Sequence, residues 1–228
     1  MTEQLDSRVL RHTDTYGQRF MKPGTYRYSI SAAGGSFSDD ARYVIEVKDG
    51  DPSQMTQTLV TIAFKDGRFT PSEETVEIAA GDLVMWHSQD AESHPFAVHG
   101  EKEFFSSERL VNESGYTHAF LTPGDHAWGD AYGSDVGGVI RVAVPDVSSK
   151  SEFAEWQRQA GEGVLVMIAD GRAEPAEVNI VVGQTVYFAL TKGPGISITA
   201  KELLQDGKGR KGVIDTRLKG AAFFRVPA

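Results

Sequence analysis

Six histidines and no cysteine limit the chemistry open to this 228-residue chain. Without a thiol there can be no thiolate nucleophile, disulfide, Cys-ligated zinc or iron–sulfur cluster. Imidazoles and carboxylates remain, and nitrogen and oxygen donors of this kind suit copper(II) or zinc. His12, His99, His118 and His126 have no mutual ligand spacing, while His87 directly follows Trp86 on an expected strand and should point to the opposite face. No Ser-His-Asp order, no glycosidase-like carboxylate pair and no H-E-x-x-H run stands out. Glu73-Glu74 and Asp39-Asp40 read as polar turns. The basic stretch QDGKGRKG (205–212) lacks the closing Gly-Lys-Ser/Thr of a phosphate-binding loop and reads as a solvated hairpin loop. The sequence points away from an enzyme.

The elements that must position these residues are strands. Apolar residues alternate in short runs at 59–64, 75–78, 83–86, 138–144, 177–182 and 185–190, with glycine turns such as AAGD (79–82) and VVGQ (181–184) between them. Period two with this punctuation predicts an all-β chain of sandwich type. Trp86, Phe120, Trp128, Tyr26, Tyr28 and Phe188 fall on strand positions expected to face a core. One segment departs from the pattern: SKSEFAEWQRQAGEG has Ser149 and Glu152 at capping-box spacing and Gly161 as a stop, predicting a helical linker over 147–161.

Two kinds of block recur. DGRFTPSEETVEIAAGDLVMW (66–86) matches DGRAEPAEVNIVVGQTVYF (170–188), and YGQRFMKPGTYRY (16–28) matches YTHAFLTPGDHAW (116–128), placing Tyr16 over Tyr116 at an offset of one hundred residues. A truncated third copy of the second block, KGAAFFRVPA, ends the chain at 219–228. The amino end thus offers only a back half (1–50), the centre a front and a back half (56–146), and the carboxyl end mainly a front half (162–228). The expected organisation is an intact central lobe at 56–146 and a second lobe assembled from both termini, as in a circular permutation. Its rival is head-to-tail assembly, in which the amino end of one molecule completes the carboxyl end of the next.

The central span, FTPSEETVEIAAGDLVMWHSQDAESHPFAVHG through FLTPGDHAWGDAYGSDVGGVIRV, resembles the cupredoxins of the plastocyanin and amicyanin kind. The resemblance implies two cupredoxin-like Greek-key β-sandwiches, one of them split between the terminal segments. It also implies where copper ligands would stand. His94 keeps the first ligand position, but the cysteine position falls on Asp130, the second histidine on Gly133 and the methionine on Val136. In the second lobe the corresponding positions are Ile196, Ile30, Ala33 and Ser36, which supply no comparable ligand set. A blue-copper centre needs its thiolate.

The expected function is therefore a copper-free, cupredoxin-like scaffold, without cofactor, that acts as a structural, self-assembling or protein-binding module. The alternative is a mononuclear copper(II) or zinc protein using His94 and Asp130. A small-ligand pocket walled by Val136, Gly133, Phe96 and Tyr132 is a further candidate. The formal charge of −9 argues against nucleic acid or an anionic membrane as partner, and self-association or a protein partner is expected instead. The polar start MTEQLDSRVLRH shows no signal peptide, so a cytoplasmic chain is expected, a mature exported one fitting equally.

Overall fold

Turn chemistry in the sequence sets where the strands meet. In the computed structural model, which describes residues 4–90 and 94–205, Asp66-Gly67 and Asp170-Gly171 both take left-handed backbone angles, with φ of 51° and 76° in the first pair and 48° and 79° in the second. Consecutive positive φ values suit a two-residue hairpin turn whose twist matches its strands, and glycine takes the second place without a Cβ penalty. Each pair closes a hairpin, with Lys65 opposite Arg68 and Ala169 opposite Arg172.

The first repeat forms β1 (Asp14–Arg19), β2 (Gly24–Ala32), β3 (Tyr43–Lys48), β4 (Gln57–Lys65), β5 (Arg68–Pro71), β6 (Thr75–Ala79), β7 (Leu83–His87) and β8 (Phe96–Gly100). The second forms β9 (Ser114–Ala119), β10 (Gly124–Gly129), β11 (Gly137–Ala143), helix α1 (Lys150–Ala160), β12 (Val164–Ala169), β13 (Arg172–Glu174), β14 (Glu177–Val181), β15 (Thr185–Lys192), β16 (Thr199–Ala200) and helix α2 (Lys201–Gln205). The fold is mostly β, as the alternating pattern predicts. Three sheets hold the strands: one of eight in the order β13-β12-β15-β9-β1-β7-β4-β5, and two of four, β6-β3-β2-β8 and β14-β11-β10-β16.

Tyr16 and Tyr116 lie directly opposite each other in the antiparallel β1·β9 pair, so both side chains emerge on one face of the large sheet. Tyr16 stacks on Trp86 (centroids 5.4 Å apart), which meets Tyr28 of β2 at 5.5 Å. Tyr116 stacks on Phe188 (6.2 Å), which meets Trp128 of β10 at 5.2 Å. Both four-stranded sheets thus pack on the same face of the eight-stranded one, and a pseudo-two-fold axis passes between β1 and β9.

This pairing corrects the expected organisation. The span 56–146 does not close as one lobe: β6 and β8 pair with β3 and β2, while β11 and β10 pair with β14 and β16. Each half is built from neighbouring sequence, with its back strands first and its front strands second. The strands of 24–48, expected to join the carboxyl end of this chain or of a neighbouring molecule, have their partners within 57–100. Residues 206–228, with the third copy and nearly all of the basic loop, lie outside the described residues. Side-chain volume accounts for the choice. Trp86 and Phe188 hold equivalent places in the front strands, Tyr28 and Trp128 in the back strands. The observed pairing gives each core one tryptophan and one smaller ring, all four within 1 % of full burial. The expected pairing would set Trp86 against Trp128 and leave Phe188 with Tyr28, overfilling one core and underfilling the other.

Helix α1 has the expected cap. The Glu152 N–H donates to Ser149 Oγ at 3.2 Å and the Ser149 N–H to the Glu152 carboxylate at 2.8 Å. It joins β11 to β12 inside the second half rather than linking two lobes, and Trp156 Nε1 anchors it by donating to the Val182 carbonyl at 2.8 Å.

Candidate functional site

The two candidate metal ligands stand in different halves. His94, just before β8, is exposed and lies against Phe64 of β4 with ring centroids 3.9 Å apart. Asp130 follows β10 and is buried, with its carboxylate joining its own loop to Ser197. Its Oδ1 accepts from the N–H groups of Tyr132 (3.0 Å) and Ser197 (2.8 Å) and from Ser197 Oγ (3.2 Å), and its Oδ2 accepts from the Ser134 N–H at 3.1 Å. His87, His99 and His126, on three different strands, are equally dispersed. His87 bonds Thr61 Oγ1 (3.0 Å), His99 bonds Ser31 Oγ (2.9 Å), and His126 bonds the Thr122 carbonyl (2.9 Å). His87 does point away from Trp86: it is half-buried where Trp86 is fully enclosed, and burial pulls its pKa below 6.5. Among the described residues no three His, Asp or Glu side chains are grouped to hold a metal ion.

Of the four expected pocket walls, only Val136 lines a depression, and Gly133 and Tyr132 do not. A shallow depression of about 400 Å³ is lined by Asp130, Ser134, Val136, Lys201 and Leu204, among others. Phe96 does not line it, since it belongs to β8 in the other half.

The polar cluster that motif reading missed lies on the pseudo-dyad. Asp14 of β1 and His118 of β9 are register partners, with His118 Nδ1 2.6 Å from Asp14 Oδ1. A carboxylate only accepts, so this contact places a proton on Nδ1. The Tyr116 hydroxyl donates to the same Oδ1 at 2.7 Å, and the Arg11 N–H to Oδ2 at 2.8 Å. On the opposite side of the axis the Tyr16 hydroxyl donates to Gln18 Oε1 (3.1 Å), and Gln18 Nε2 donates to the carbonyls of Arg19, Asn112 and Glu113. Burial lifts both tyrosine hydroxyls well above their ordinary pKa of 10, and for Tyr116 the Asp14 charge adds to the effect. Two arms cross beside this cluster. Leu5 and Ser7 hydrogen-bond Ala200 and Ile198, and then Leu10 pairs with Phe96. Phe105 and Ser107 do the same with Gly100 and Val98 before Leu110 pairs with Ile196. Each arm therefore ties both halves together. The one-hundred-residue offset of Tyr16 and Tyr116 was the available signal, since a repeat that meets itself across a two-fold axis pairs equal positions.

The cluster is enclosed, so it can hold the halves together but offers no surface to a substrate. The face of the eight-stranded sheet turned away from the small sheets instead exposes Leu59, Leu165 and Met167. No family model, no curated protein and no solved structure matches the chain.

Proposed function

We propose that the protein is a copper-free scaffold of two cupredoxin-like Greek-key sandwiches, each in permuted order, that works through its surfaces as a structural, self-associating or protein-binding module. Asp130 carries this reading. The carboxylate at the place of a copper thiolate in the resembling family has both oxygens engaged by four donors, two from its own loop and two from Ser197, so metal binding would forfeit those hydrogen bonds. The absence of cysteine supports the same view, because a blue-copper site needs a thiolate in its coordination plane.

The competing metal reading needs His94 and Asp130 to share one ion. Calorimetric titration with copper(II) and zinc on the wild type, His94→Ala and Asp130→Asn separates the two. The scaffold reading expects the three isotherms to coincide. Loss of stoichiometric binding in both variants, with the fold intact by circular dichroism, would overturn it in favour of a metal protein.

A further inference from the structure

The molecule has two kinds of solvent-facing sheet surface, and they differ in chemistry. The small sheets carry cross-strand ion pairs outside: Lys48 with Glu77 at 2.5 Å, and Arg141 with Glu177 at 2.7 Å. On the open face of the large sheet the register aligns Leu59, Met85, Gly17, Gly115, Ala189 and Met167 in one row across six strands. The next row ends in Tyr187 and Leu165. Among the described residues these two rows, from β4 to β12, contain no Asp, Glu, Lys or Arg, and their one titratable imidazole, His87, is held toward its neutral form. Leu59, Leu165 and Met167 are 52 %, 48 % and 39 % exposed. A Cβ at Gly115 would come within 2.4–2.6 Å of the Tyr187 ring, so the glycine lets that ring lie flat on the sheet and keeps the surface level.

We propose that this face is a homodimer interface, through which two copies stack sheet on sheet. The proposal rests on the surface-acting reading above and names the partner. A level surface without charge offers no electrostatic handle to a charged partner, and its best complement is another level, uncharged sheet, which the chain itself carries. The pseudo-dyad normal to the sheet places apolar groups on both sides of the axis, Leu59 on one and Leu165 with Met167 on the other, so aligned stacking repeats each contact. Six strands at about 4.8 Å by five residues at about 3.4 Å give a footprint of roughly 490 Å² per copy. Two copies would bury about 1,000 Å², the size of a weak, concentration-dependent association. The charge of −9 on each copy resides elsewhere and opposes association at long range, so screening should tighten the dimer.

Sedimentation velocity across protein concentration and salt tests this on the wild type, Leu165→Lys, Leu59→Lys and the double variant, with Val144→Lys, 73 % exposed and off the face, as control. A wild-type dimer that strengthens with salt is expected. Each single variant should weaken it by at least about tenfold, the cost of placing an ammonium in an apolar contact. The double variant should be monomeric, Val144→Lys should match the wild type, and all should melt alike. A wild type that stays monomeric at high concentration and salt overturns the dimer while leaving the scaffold reading to the copper titration. A dimer that survives the folded double variant, or that weakens only with Val144→Lys, places the contact elsewhere and overturns it as well.

Discussion

Asp14 and Ser114 occupy the same place in the two repeats, yet only the first carries a charge, and it is buried between the halves. Asp14→Ala removes the acceptor used by Tyr116 and His118, and breaking a buried, hydrogen-bonded charge of this kind costs about 3–5 kcal/mol. Ser114→Ala removes one neutral bond to the Val111 carbonyl and should cost about 1 kcal/mol, so urea midpoints of the two variants should differ clearly. The tyrosines give a second expectation. Burial pushes the Tyr28 hydroxyl up to about 12, against an opposing contact from Trp86. A raised pKa of this sign contributes stability that is fully present below the unfolded value near 10 and lost as pH rises through 12, on the order of 2–3 kcal/mol for Tyr28. Denaturation midpoints should therefore fall between pH 10 and 12, with tyrosinate absorbance appearing together with unfolding, and Tyr28→Phe should flatten that fall. For His94 and Asp130, the family ligand pattern assigns both to one lobe, while strand partnership places them in different halves.

At the scale of elements, the described strands lie where alternation, the glycine turns and the Ser149 cap put them, because hydrogen-bond geometry and turn sterics act within a few residues. What alternation could not say is which front strands meet which back strands, since both sets have the same local pattern. The tryptophans decide this, and they can be tested. Phe188→Trp should overfill the second core by about 1–3 kcal/mol, and Trp128→Phe should leave a void of similar cost. Because the rings touch, combining them should cost less than the sum of the two, a coupling that a double-mutant cycle in urea would measure. Trp128→Phe should show no such coupling with Trp86→Phe, which lies in the other core.

The whole molecule behaves as a homodimer joined in one chain: equal strands pair across a pseudo-dyad, and reciprocal arms bind each half to the other. Such interlocking predicts a single cooperative transition. Variants that retain only Trp86 or only Trp128, one reporter per half, should show coincident fluorescence midpoints, whereas independent lobes would melt separately. The sequence by itself determined the all-β class, the strands, the turns, the helix cap, the duplication and the exclusion of thiol chemistry, because each depends on residue type and short-range periodicity. Only the tertiary structure decided that neighbouring halves pair in permuted order, that His94 and Asp130 fall in different halves, that Asp14 meets His118, and that one broad sheet face exposes Leu59, Leu165 and Met167. These depend on which of two locally equivalent surfaces meet, and core volume and register settle that only once the chain has folded.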